Sequence, residues 1–157
     1  MEIRMKKKLA ITLVILALIF LCAGYDVYRS KQFHLTLVSM DPGQAPADGQ
    51  TPVSLVIKLT DSKGSPVEGH SLFAVPKGGG ILSASRVVTD RAGQATYTYY
   101  PFKASKLQPV KDVVLQIVDE SNSIFIEVNT KTSVTIPLVE PENDAKSKHS
   151  LNDIFGE

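Results

Sequence analysis

The stretch VSLVIKLTDSKGSPVEG, residues 53–69, decides the fold. Val53, Leu55, Ile57 and Leu59 alternate with Ser54, Val56, Lys58 and Thr60. Successive side chains of a strand point to opposite faces, so this spacing predicts a strand with one face on a core. Asp61-Ser62-Lys63-Gly64-Ser65-Pro66 then closes the strand with turn chemistry. Asp and Ser side chains bond the backbone, Gly permits a positive φ, and Pro sets the exit.

The same alternation recurs on both sides. Upstream, Phe33, Leu35 and Leu37 alternate with His34, Thr36 and Val38 before the turn signal Asp41-Pro42-Gly43. Downstream, Leu72, Phe73 and Val75 predict a strand, interrupted by Pro76-Lys77-Gly78-Gly79-Gly80. Short pieces at Ile81-Leu82 and Val87-Val88, a tight turn at Asp90-Arg91-Ala92-Gly93 and the β-rich run from Ala95 to Tyr100 follow. After a loop from Pro101 to Lys111, Val113, Leu115 and Ile117 alternate, and Ile124, Ile126 and Val128 alternate beyond the turn Asp119-Glu120-Ser121-Asn122. A last short strand, Ser133 to Ile136, ends at Pro137. About eight short strands with frequent turn signals predict an all-β fold. Strands this irregular, broken by Gly and Pro, suit a sandwich better than a closed barrel.

Four segments, in order, resemble the invasin/intimin-type bacterial immunoglobulin-like domain. They are Ala47-Asp48-Gly49-Gln50; Asp61 to Gly69 in the pattern D-x-x-G-x-P-V-x-G; Gly78-Gly79-Gly80-Ile81-Leu82-Ser83; and Val88-Thr89-Asp90-Arg91-Ala92-Gly93-Gln94-Ala95-Thr96. The resemblance covers residues 33 to 136 and implies an immunoglobulin-like Greek-key β-sandwich of the kind carried by bacterial surface proteins. In such proteins the domain recurs in tandem as a rigid spacer, and adhesion comes from specialised terminal domains. Here one copy is present, and the loop from Tyr99 to Asp112 is longer. The residues also explain themselves without the family: Gly64, Gly69 and Gly93 are expected where a turn needs positive φ.

The N-terminal segment sets the compartment. Residues 1–8 carry Arg4, Lys6, Lys7 and Lys8 against Glu2, and Leu9 to Gly24 then runs without a charged residue. Basic residues before an apolar run hold the N-terminus in the cytoplasm, so the remainder is expected to be exported. The run is slightly short for a spanning helix, which needs about 17 to 25 residues. Tyr25 and Tyr28 extend it as interfacial anchors, giving an expected transmembrane signal anchor over 9–28. The competing outcomes are a cleaved signal peptide, with Cys22-Ala23-Gly24 before Tyr25 as the site, and a lipidated Cys22, which Leu21 disfavours. The expected organisation is thus a cytoplasmic basic segment (1–8), an anchor (9–28), a sandwich (29–137) and a polar, disordered tail (138–157) with a short amphipathic end.

A formal net charge of +1 argues against nucleic acid, whose phosphates call for a basic surface. Cys22, the single cysteine, allows neither an internal disulfide nor a four-cysteine zinc site. His34, His70 and His149 lack metal-ligand spacing, and no G-x-S-x-G elbow is present. The adjacent carboxylates of Asp119 and Glu120 read as turn chemistry. Asp48, Asp61, Asp90 and Asp119 sit at turns, where calcium is conceivable and backbone capping is the simpler role. The sequence therefore predicts no enzyme and no cofactor.

Two places read as partner-binding. Tyr100, Phe102, Lys103 and Lys106 put aromatics beside cations in the long loop. Leu151, Ile154 and Phe155 form an apolar cluster in the tail, suited as a short docking helix to a groove on a partner. The expectation is a single-pass bacterial membrane protein whose extracytoplasmic module serves as an accessory subunit of an envelope assembly. The alternative is an adhesion module binding a host or carbohydrate ligand.

Overall fold

A computed structural model of the chain describes residues 2–121 and 123–141. Helix α1 (Glu2–Ser30) is followed by strands β1 (Phe33–Asp41), β2 (Ala45–Pro46), β3 (Val53–Asp61), β4 (Ser71–Lys77) and β5 (Ile81–Leu82). Then come β6 (Arg86–Val88), β7 (Gln94–Tyr100), β8 (Val113–Asp119), β9 (Lys131–Ile136) and β10 (Leu138–Val139). Two four-stranded antiparallel sheets, in the orders β1-β3-β7-β5 and β6-β4-β8-β9, face each other. The first order corresponds to the ABED sheet of an immunoglobulin sandwich, and β4-β8-β9 stand in the place of CFG.

The alternation that predicted the sandwich is the alternation that fills it. Val53, Leu55, Ile57 and Leu59 of β3 are buried, and Val113, Leu115 and Ile117 of β8 oppose them from the other sheet. Tyr97 crosses the core and donates its phenol to the carbonyl of Leu72 at 2.7 Å, tying β7 to β4. Burial pushes the Tyr99 phenol up to about 12 and the Tyr97 phenol higher still, with the Glu120 charge adding to the rise at Tyr97.

The glycine-rich step after β4 exists because two aromatic rings lie against it. Tyr99 donates to the carbonyl of Gly79 at 3.0 Å. A Cβ on Gly80 would fall 2.3 Å from the Tyr99 oxygen, and one on Gly79 would fall 3.0 Å from the Phe102 ring.

Three differences from the sequence expectation have physical causes. A register shift between Leu37 and Ser39 turns the alternation of β1 over beyond Leu37, so Met40 and not Ser39 lies on the core face opposite Leu55, while Leu37, still paired with the buried Ile57, is 42% exposed on the edge strand. The run from Ile124 to Thr130 is an irregular loop. The amides of Ile124, Phe125 and Ile126 all point at one acceptor, which a strand cannot do because its successive N–H groups point in opposite directions. Finally, Leu138 and Val139 pair in parallel with Ala45 and Pro46, and Leu138 is buried, so the sandwich extends beyond residue 137.

The register also fixes the two ends of the sandwich. Phe33 pairs with Asp61, and Val53 with Tyr99. The end at Phe33, Asp61 and Asp119 adjoins α1, and the end at Asp41, Val53, Tyr100 and Val113 lies away from it.

Gly93 provides a test of this packing. Its φ is +72°, and an added Cβ would fall 2.5 Å from the carbonyl oxygen of Leu59 and 2.9 Å from the amide of Val67. Gly64 has φ +83° but open space around it. In urea titrations of the detergent-solubilised chain, Gly64→Ala is expected to cost about 1 kcal/mol from backbone strain alone, and Gly93→Ala about 2 kcal/mol or more. Equal losses would show that the packing around Gly93 is not as described.

Candidate functional site

Helix α1 does not merely precede the sandwich; it is bonded to it. Asp26 is the single acidic residue between Leu9 and Lys31, and it is wholly buried. Its carboxylate accepts the amides of Ile124 at 3.1 Å, Phe125 at 2.6 Å and Ile126 at 2.6 Å. Hydrogen bonds to an ionised acceptor are stronger than neutral ones, and three consecutive amides form a compact anion cradle. The contact is reinforced on both sides. The Thr130 hydroxyl donates to the Ser30 carbonyl at 2.6 Å. The Tyr25 and Phe125 rings meet edge to face, 6.3 Å apart. The loop has its own brace, because the Ser123 hydroxyl accepts the Val128 amide at 3.1 Å and lies 2.6 Å from Asn129 Oδ1. Loop residues Ser123 to Glu127, with Glu120 and Asn129, line an open hollow of about 280 Å³.

The sequence reading missed Asp26. The signal was present: a carboxylate between two interfacial tyrosines, directly after an apolar run, needs a partner.

Beside this joint, His70 Nδ1 lies 2.8 Å from Oδ2 of the buried Asp119, and Asp119 Oδ1 accepts the Ser121 amide at 2.9 Å. The His70 ring stacks obliquely on Phe33 at 5.0 Å. Arg86 grips Glu120 through two bonds of 2.7 and 3.1 Å while lying over the Phe73 ring at 4.9 Å. The Arg86 guanidinium holds the Glu120 carboxyl below the usual range. These contacts lock the β4–β8 end, which carries the loop that receives Asp26.

The turn aspartates cap their own backbones. Asp48 Oδ1 accepts the amides of Gln50 and Thr51, Asp61 Oδ1 those of Lys63 and Ser65, and Asp90 Oδ1 those of Ala92 and Gln94. Among the described residues, no group of three or more His, Cys, Asp or Glu side chains is placed to hold a metal ion.

The sequence-predicted partner residues separate. Phe102 is 9% exposed and packs into the core against the glycine step. Tyr100 ends β7 and pairs with Ile81 at the sandwich edge. Lys103 bridges to Asp48 through the backbone with its side chain exposed, and Lys106 is exposed near it. Leu107, which the sequence reading did not single out, projects at 98% exposure from the turn joining Ser105 and Gln108. All lie at the end of the sandwich away from α1. Leu151, Ile154 and Phe155 lie outside the described residues.

A model of the bacterial Ig-like domain (group 1) matches residues 36–134, well over half of the chain. The chain belongs to this family. Among solved structures, the Ig-like domain is similar to the D00-D0 domain of intimin, at 17% identity and a TM-score of 0.47, covering 64% of this chain and 46% of that one. It is similar to the D0-D1 domain of intimin at 19% identity and a TM-score of 0.46, covering 66% and 49%. A conjugative transposon lipoprotein from Bacteroides eggerthii DSM 20697 matches at 12% identity and a TM-score of 0.43, covering 68% and 98%. The chain thus spans about half the length of these intimin fragments. Comparison with curated proteins gives no match.

The Asp26 joint straddles the edge of the Ig-like domain. The receiving loop lies inside the family match and the carboxylate outside it. Asp26→Ala is expected to release the loop without unfolding the sandwich. Hydrogen exchange of the full chain should then speed up at Ile124, Phe125 and Ile126 and stay unchanged at Leu55 and Leu115. Unchanged protection at all five amides would mean that the carboxylate does not hold the loop.

Proposed function

We propose that this chain is a membrane-anchored, non-catalytic module that stands outside the cytoplasm and serves as an accessory subunit of a bacterial envelope assembly. Helix α1 contains a stretch, Lys7–Ser30, long and apolar enough to cross a bilayer, and its most apolar 18 residues have a mean hydropathy of 2.3. The basic residues ahead of it orient the N-terminus inward. Membership in the bacterial Ig-like family supports a binding or structural role.

The observation that carries this reading is the polarity of the molecule. The anchor is bonded to one end of the sandwich through Asp26. Tyr100, Lys103, Lys106 and the exposed Leu107 occupy the other end. β10 closes against β2 at that end also. In this reading the distal loop and the tail residues Leu151, Ile154 and Phe155 engage another envelope protein. Aromatic and basic side chains are favoured in such contacts, and apolar residues of a short helix fit a groove.

The test is affinity purification of the full-length chain from detergent-solubilised membranes, beside a version lacking residues 149–157 and a Lys103→Glu, Lys106→Glu double variant. A stoichiometric partner that is lost from either variant is the expected result. Recovery of the chain alone in every case would overturn the subunit reading and leave the adhesion reading, to be pursued with glycan and cell-binding assays.

A further inference from the structure

Ile124, Phe125 and Ile126 are consecutive, apolar, and 59%, 57% and 40% exposed. Three large exposed apolar residues in a row mark a contact surface, and the geometry indicates what covers this one. Their amides are bonded to Asp26, so the loop is held at the level of Asp26 along α1. A spanning helix needs about 20 residues to cross a hydrocarbon core of about 30 Å. Counted from Leu9, the far boundary of that core falls near Tyr28, about half a turn beyond Asp26. A loop fixed to Asp26 cannot then sit clear of the bilayer.

The chemistry of the joint fits that depth. A carboxylate near the hydrocarbon boundary is costly unless partnered, and backbone amides there must also be satisfied within the protein. Asp26 and the three amides satisfy one another, and only apolar side chains are turned outward. Tyr25, which packs on Phe125, and Tyr28, which is exposed, supply the aromatic rings that favour the headgroup level. Glu127, next in the loop, is exposed and marks its return to water.

We propose that the loop Ile124–Phe125–Ile126 is a second membrane contact, inserted beside α1 into the leaflet nearest the sandwich, with acyl chains and headgroups of that leaflet as its ligand. The inference rests on α1 being a membrane anchor. It adds that the Ig-like domain itself touches lipid and is held upright at two points instead of swinging on one.

The chain contains no Trp, so single-Trp variants report without background. The full-length protein is reconstituted in phosphatidylcholine nanodiscs without bromine, with lipid brominated near the headgroup end of its acyl chains, or with lipid brominated mid-chain. Phe125→Trp and Ile124→Trp probe the loop; the second is read independently in case the Tyr25 contact does not accept the larger ring. Leu107→Trp probes the far end of the sandwich, and Leu18→Trp the middle of the helix. The expected result is that Trp at 125 or 124 is blue-shifted and loses most of its emission to bromine, while Trp at 107 keeps its emission. If Trp at 18 is quenched by mid-chain bromine but neither loop position is quenched more than 107, the loop contact is overturned and the anchor stands. If Trp at 18 is not quenched either, the anchor reading falls, and this inference with it.

Discussion

Three consecutive amides converge on the buried carboxylate of Asp26, and the placement of the sandwich relative to its helix depends on that convergence. Only the short link Lys31–Gln32 joins Ser30 to Phe33. A link alone would let the domain swing. The bonds from Ile124, Phe125 and Ile126 reach about a hundred residues along the chain and turn the link into a two-point attachment. The receiving loop is in turn held by β8 and β9, which it connects, and β8 is a central strand of its sheet.

That central position matters because the core is shared between the sheets. Tyr97 bonds across to β4, and Tyr99 and Phe102 pack on the glycine step at the opposite end. The aromatic residues that could have served as surface contacts are therefore divided: the inward ones set the spacing of the sheets, and those at the edge remain available.

Much of the sandwich was legible because its signal is local. Period-two alternation in β3 and β8 and the turn aspartates at 61 and 90 each depend on neighbours within a few residues. The failures are non-local. Ile124 to Val128 alternates as a strand does, yet its amides are drawn to a carboxylate on α1, and nothing near it in sequence announces this. The bulge in β1 brings Met40 onto the core face through a register set by β3. Phe102 in a lysine-bearing loop read as contact material, but it faces glycines more than twenty residues upstream. Asp26 was missed, because nothing near it in sequence indicates what it meets. Of the proposed partner surface, the loop residues Tyr100, Lys103 and Lys106 proved to share one end of the sandwich, a relation that follows from strand order and not from composition.

If helix and sandwich form one body, the distal loops are presented at a defined angle to helix α1. The most direct test measures that rigidity. On a Cys22→Ser background, spin labels at Phe20→Cys and Val88→Cys, both exposed positions, report the helix-to-sandwich distance in nanodiscs. The account predicts a single narrow distance distribution that broadens when Asp26 is replaced by Ala. A distribution already broad with Asp26 present, or one that stays narrow after its replacement, would contradict it.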